Sequence, residues 1–312
     1  MDMDAVNPDL RRQLARLPPL DPSKAIVRFI GTYATTLMPR YRVPGVTTRW
    51  IRDAGIRARV HEPAGGTSGP CLLWFHGGGL VLGSPLQDDR LCVDTAVDLG
   101  ITVIAAAYRL APKAPFPAGL DDALAAWEWV QSHASGLGID PTRVVVGGES
   151  AGGSIAASLA QRLHDSGGVQ PVAQWLFTPM LDDRTAAKRE LDAIDHPVWN
   201  NRANHYGWGA YLGTEPGGAE VAPHSVPARR ADLSGLPPAW LSAGDIELFH
   251  DEIVDYAARL RSADVSAELD VVPGGAHGFE SWAPTARVSV GLLDRARKWL
   301  ATAVGVERAA RV

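Results

Sequence analysis

The feature that most restricts what this chain can fold into is a rhythm in which short apolar runs alternate with longer helix-patterned stretches. The runs are Cys71 to Phe75, Thr102 to Ala107, Arg143 to Val146 and Gln174 to Phe177; between them lie Asp88 to Leu99, Leu120 to Ser132 and Ser154 to His164. Parallel neighbouring strands need a crossover of about a dozen residues, and a parallel sheet is stable only when helices cover both of its faces. The rhythm resumes with a strand at Ala239 to Ala243, a helix at Asp251 to Ser262, a strand at Ala267 to Val272 and a last helix at Val288 to Val304. Thr47 to Arg52 and Ile56 to His61 alternate apolar and polar residues and read as earlier, half-buried strands. The expected class is α/β, a mostly parallel central sheet flanked by helices.

Two segments break the rhythm. Residues 1–45 read as irregular helix: Asp9 to Leu17 is amphipathic, Pro18-Pro19 ends it, and Ser23 is placed to cap a segment holding Ile26, Phe29 and Ile30. Residues 183–230 are polar, carry Trp199, Tyr206, Trp208 and Tyr211, and include the proline-spaced Ala222-Pro-His-Ser-Val-Pro, so they read as an insertion. The chain therefore divides into 1–45, a core part at 46–182, the insertion at 183–230, and a second core part at 231–312. With 312 residues, 46% of them hydrophobic, there is material for one large core.

Lys and Arg number 30 against 35 Asp and Glu, a net charge of −5 with both signs interspersed, which implies no nucleic-acid surface. The acidic start Met-Asp-Met-Asp lacks the marks of a secretory signal, and no apolar run reaches the roughly 18–20 residues that span a bilayer. A cytoplasmic protein without stable membrane insertion is expected. Cys71 and Cys92 are too few for a disulfide framework or a thiolate metal site, although one bridge between them stays open.

Gly148-Glu149-Ser150-Ala151-Gly152 lies between a strand and a helix-compatible run. The string alone is weak and also suits an anion-binding turn. In this setting it matches a nucleophile elbow, in which the serine takes a strained backbone conformation and bulk two residues to either side would strike neighbouring backbone. Phe75-His76-Gly77-Gly78-Gly79 closes the strand that begins at Cys71, and its glycines leave backbone N–H groups free to converge on a developing oxyanion. A serine hydroxyl is a poor nucleophile at neutral pH and needs a histidine base oriented by a carboxylate. Of nine histidines, His61, His133, His164, His196, His205 and His224 fall in segments that read as surface. His277 sits in the small-residue loop Pro273-Gly-Gly-Ala-His-Gly-Phe after a strand, where α/β sheets gather their ligands. For the acid, Asp251 and Glu252 are explained as charges favourable to the helix dipole, which leaves Asp245 and Glu247.

In order, HGGG, GESAGG, an acid and HGF resemble the hormone-sensitive-lipase-like branch of the α/β-hydrolases, bacterial esterase family IV. The stretch Tyr108-Arg-Leu-Ala-Pro-Lys-Ala-Pro-Phe-Pro-Ala-Gly-Leu-Asp-Asp-Ala is similar to that family's linker between oxyanion and nucleophile strands. The resemblance runs over about residues 45–300 and implies an α/β-hydrolase fold whose helical cap is built from residues 1–45 and 183–230. It implies Ser150 as nucleophile, His277 as base, and the backbone amides of Gly78, Gly79 and Ala151 as oxyanion donors, with His76, Gly77 and Glu149 in support. Glu149 stands where relatives often have Asp and is expected to brace the oxyanion loop. Family members usually carry D-P-L-R-D-E around the acid. Matching Asp251-Glu252 to its last two residues puts Glu247 on the catalytic position, a departure from the usual Asp that keeps Asp245 in play as a substitute. The implied activity is serine carboxylesterase on short- to medium-chain small-molecule esters, with no cofactor or metal required. Amide, lactone or acyl-transfer chemistry with the same triad is the alternative, and a ligand-binding protein on the same fold is the rival from another class. Members often form homodimers, and that expectation is carried over, although no stripe in the sequence marks an interface.

Overall fold

The segments read as strands form one sheet in the computed structural model, which describes residues 2–18, 20–34, 40–66 and 69–308. The strands are β1 (Val46–Asp53), β2 (Ile56–Pro63), β3 (Cys71–Phe75), β4 (Thr102–Ala106), β5 (Val144–Glu149), β6 (Ala173–Phe177), β7 (Ala239–Gly244) and β8 (Ala267–Val272). Their spatial order is β1-β2-β4-β3-β5-β6-β7-β8. β1 and β2 run antiparallel to their neighbours, and the rest are parallel. The helices are α1 (Arg11–Leu14), α2 (Ala25–Tyr33), α3 (Asp89–Leu99), α4 (Ala118–His133), α5 (Ala151–Ser166), α6 (Asp183–Ala187), α7 (Asn201–Leu212), α8 (His250–Ser262), α9 (Phe279–Trp282) and α10 (Arg287–Val304). None is long and apolar enough, among the described residues, to cross a membrane.

Strands β3 to β7 are buried along their whole length, which is why they read as continuous apolar runs instead of alternating ones. Successive side chains still point to opposite faces. Cys71, Leu73 and Phe75 pack with α4, α5 and α8 through Trp127, Ile155, Leu159 and Tyr256, whereas Leu72 and Trp74 pack with α3 and α10 through Leu91, Leu292 and Leu300. On the second face Trp74, Trp175, Phe177 and Trp240 interlock, with neighbouring ring centroids 4.7–6.4 Å apart. Two of these indoles are also satisfied as donors, Trp74 to Asp88 at 2.7 Å and Trp175 to the Ala296 carbonyl at 3.1 Å.

Several expectations need correction. The start of residues 1–45 packs on the core: Val6, Leu10 and Leu14 are buried in the α3–α10 face, and the Asn7 amide donates to the Gly274 carbonyl at 2.9 Å. The helical turn there is shorter than Asp9 to Leu17. Ser23 does not cap α2; Lys24 holds the cap position without a side-chain bond, and the Ser23 hydroxyl donates to Asp21. His61 is fully buried, because β2 lies between β1 and β4 and a paired Arg59–Asp89 covers it; burial pushes its pKa down to about 3. Cys71 and Cys92 are buried free thiols, not a bridge. α2 is built inside out: Ile26, Phe29, Ile30 and Tyr33 are more than half exposed, while Gly31 and Thr32 face inward towards Leu82 and Gly83.

Candidate active site

Three loops meet at the carboxyl ends of β3, β5 and β8. The first is the turn from β5 into α5. Ser150 has φ 55° and ψ −119°, a conformation rare outside glycine, and its backbone is pinned on both sides: its amide donates to the Phe177 carbonyl at 2.8 Å, and its carbonyl accepts from Met180 at 3.0 Å. The flanking glycines have the reason the sequence suggested. A Cβ on Gly148 would lie 2.3 Å from the Gly152 carbonyl, and one on Gly152 would lie 2.0 Å from the Phe75 carbonyl oxygen. Ala151 is the first residue of α5, so its N–H belongs to the positive end of a 16-residue helix.

The second loop follows β3. Gly78 and Gly79 have φ of +122° and +58°, open to glycine and strained for other residues, and the Gly78 carbonyl accepts from both Val81 and Leu82. Gly77 lies against the elbow, where an added Cβ would be 3.4 Å from that of Ser150. His76 is not free to do chemistry. Its ring is stacked on Tyr108 at 4.4 Å and its Nδ1 donates to the Gly77 carbonyl, while the Tyr108 hydroxyl donates to the His76 carbonyl; burial pushes its pKa down to about 4. It stiffens the loop as a neutral ring.

The third loop carries His277, 5% exposed, with Ser150 and Glu247 each 4% exposed. Its Nε2 is 2.9 Å from Ser150 Oγ, and its Nδ1 is 2.6 Å from Glu247 Oε2. The other Glu247 oxygen accepts from the Gly244 amide at 3.1 Å, which fixes the carboxylate plane. Asp245 is directed elsewhere: it is exposed, and it accepts from the Gly274 amide at 2.6 Å, tying the end of β7 to the turn after β8. The structure thus brings Ser150, His277 and Glu247 into one hydrogen-bonded line and leaves Asp245 as a loop tie.

Glu149 braces a different loop from the one expected. Its carboxylate accepts from the Ser281 hydroxyl and lies against Gly278, where an added Cβ would be 2.5 Å from Oε1, so the side chain supports the His277 side, while only its backbone carbonyl, 3.2 Å from where a Gly77 Cβ would be, lies against the glycine loop. Asp88 and Glu280 lie near it, all three buried. Burial raises all three pKa values, those of Asp88 and Glu280 well above the usual carboxylate range, with the Glu149 charge raising both further. Glu252 departs most from the sequence reading. It is not a solvated helix-dipole charge; its Oε1 accepts from the Leu181 and Asp182 amides at 2.6 and 3.2 Å, at the point where the chain leaves the core for the insertion, and burial pushes its pKa up to about 8. The inward side of a first helical turn was its only sequence signal. Trp199, Trp208 and Tyr211 are buried in the main core cluster, and Tyr206 is half-buried, with the Arg28 guanidinium 5.2 Å from its ring. Among the described residues, no group of three or more His, Cys, Asp or Glu side chains could hold a metal ion.

The fold is shared with known proteins. The description "alpha/beta hydrolase fold" matches residues 72–281, more than half of the chain. Carboxylesterase NlhH of Mycobacterium tuberculosis is 34% identical over 253 residues, 79% of this chain and 78% of that one. The structure of a bacterial heroin esterase, 34% identical, superposes with a TM-score of 0.89 over 97% of this chain and 99% of that one. An esterase from the bacterial hormone-sensitive lipase family, 29% identical, does so with a TM-score of 0.81 over 96% of this chain and 100% of the other. The matched span contains all three strand-end loops, and the chain belongs to the α/β-hydrolase family, in its hormone-sensitive-lipase-like branch.

Proposed function

We propose that this carboxylic ester hydrolase is a serine esterase that works through Ser150, His277 and Glu247 on short- to medium-chain esters. The observation that carries the reading is the unbroken line Glu247 Oε2, His277 Nδ1, His277 Nε2, Ser150 Oγ, with both contacts at hydrogen-bond distance. Since a carboxylate only accepts, Nδ1 holds the proton and Nε2 is the basic nitrogen facing the hydroxyl. His277 takes the Ser150 proton as Oγ attacks the ester carbonyl, and Glu247 stabilises the imidazolium that forms. The negative charge on the carbonyl oxygen is met by the amides of Gly78, Gly79 and Ala151. Collapse of the tetrahedral adduct breaks the ester C–O bond, the alcohol leaves with the proton from His277, and an acyl-serine remains. Water, deprotonated by His277, then attacks the acyl carbon and returns Ser150 with release of the acid. The acyl-length preference rests on the family resemblance.

The test is hydrolysis of p-nitrophenyl esters from acetate to palmitate by wild type and Ser150→Ala. Turnover that peaks at acetate to octanoate and falls by at least ~10⁴-fold in the variant is the expected result. Undiminished hydrolysis by folded Ser150→Ala overturns the assignment, and a folded wild type inert on every ester moves it to amide or lactone substrates.

A further inference from the structure

The oxyanion loop is touched from the cap as well as from the sheet. Gly79 lies under the six-membered ring of Trp199: a Cβ at Gly79 would be 2.2 and 2.3 Å from Cη2 and Cζ2. Gly207, on α7, closes the same contact, since a Cβ there would be 2.7 Å from the Gly79 carbonyl oxygen. The ring has little freedom to leave. Trp199 is 3% exposed, Val198 before it is held at φ 70°, and α7 begins two residues later, capped by the Asn200 side chain accepting from Ala203. A β-branched residue at positive φ is a genuine outlier and persists only where surrounding structure enforces it. The buried Trp199 Nε1 has no hydrogen-bond partner among the described residues, where the ring is held by shape and not by its N–H.

We propose that Trp199 is a positioning residue for hydrolysis: its ring edge, seated on Gly79, sets the direction of the oxyanion-hole amides, so the insertion completes a site whose reacting groups all lie on the sheet. This rests on the oxyanion role of Gly78 and Gly79 proposed above. Two adjacent glycines at positive φ have no side chains of their own to hold their peptide planes. Stabilisation of an oxyanion depends on donors held 2.7–3.1 Å from where the charge develops, and displacements near 1 Å cost about 10²-fold. The Trp199 ring supplies a wall against Gly79.

The experiment compares wild type, Trp199→Ala and Trp199→Phe in three quantities: kcat and KM for p-nitrophenyl acetate, and the affinity for phenylboronic acid, which forms a tetrahedral adduct on the serine. A positioning role predicts that Trp199→Ala lowers kcat by about 10- to 100-fold and boronate affinity by a similar factor. KM should stay within about threefold, and Trp199→Phe, which keeps a ring over the loop, should recover most of the loss. A rise in KM with boronate affinity unchanged would make the ring a substrate wall and overturn the proposal, as would a lower melting temperature with kcat intact. If Trp199→Ala does not fold, the same comparison is read from Trp199→Phe, whose smaller ring should cost severalfold in kcat and boronate affinity together; no cost in either overturns the proposal. Ser150→Ala separates the two readings: if it hydrolyses normally, the esterase site itself is misassigned, whereas an inert Ser150→Ala beside fully active Trp199 variants defeats this inference alone.

Discussion

On the sheet side of the site, Gly148, Gly152 and Gly244 sit where an added Cβ would come within 2.3, 2.0 and 1.9 Å of neighbouring backbone; from residues 183–230 and α2, one backbone approach, Gly207 to the Gly79 carbonyl, is joined by side-chain contacts, the Trp199 ring on Gly79 and the Leu82–Gly31 packing. Backbone-to-backbone contact cannot be relieved by a rotamer change, whereas a ring or methyl contact lasts only as long as its surroundings hold that side chain. The groups that move protons therefore stand on the part of the molecule least able to shift. The insertion reaches them mainly through side chains held in place by their own surroundings.

That contrast can be broken at several strengths. The largest effect is expected at the acid: Glu247→Gln should lose about 10³- to 10⁴-fold in kcat, by analogy with removing a triad carboxylate, while Asp245→Asn should lose less than about tenfold. Steady-state kinetics on one ester decides it, and the reverse ordering would mean that the β7 loop is mobile enough to exchange its acids. Next comes the buried carboxyl that meets the Leu181 and Asp182 amides. Glu252 holds its proton up to about pH 8 in the folded chain but has an ordinary carboxyl pKa when unfolded, so its contribution is complete below about pH 4 and is lost as the pH climbs towards 8. Melting temperatures from pH 5 to 8 should therefore fall less steeply in Glu252→Gln than in wild type, by up to about 1.4 kcal/mol per pH unit of removed dependence. Parallel slopes would show that the Glu252 carboxylate is solvated. The smallest effect belongs to α2: Phe29→Ser with Ile30→Ser should change stability by less than about 0.5 kcal/mol for each exposed site and hydrolysis by less than twofold. A larger loss would place that stripe against the site.

The sheet was legible because buried parallel strands leave continuous apolar runs, and Cys71 to Phe75 or Gln174 to Phe177 match their observed bounds closely. Ser150 and His277 were legible because glycine-rich turns at strand ends carry a steric signature. The strand order was not, since nothing local in Thr102 to Ala106 says that β4 lies outside β3. Nor were the fates of individual polar residues. His61 alternates like a surface strand residue yet is covered by its strand neighbour Arg59 paired with Asp89, which lies 30 positions further along the chain than Arg59, and Glu252 looks like a helix-start charge until the Leu181 and Asp182 amides, some 70 positions earlier, arrive to meet it. Burial of a polar group depends on partners distant in sequence, and periodicity carries no trace of them. The Glu247-for-Asp245 assignment came through the resemblance; the residues alone left both open.

The two buried cysteines lie on opposite layers of the sheet, Cys71 in the layer shared with α4, α5 and α8 and Cys92 in the layer shared with α3 and α10. Burial raises both thiol pKa values, so in the closed molecule neither presents a reactive thiolate. A maleimide or disulfide reagent can reach them only when a layer lifts, and its labelling rate at each position then reports the opening equilibrium of that layer. The chain thus carries a built-in pair of clocks, one per face, that would tell whether the molecule comes apart as a single unit or peels from one side first.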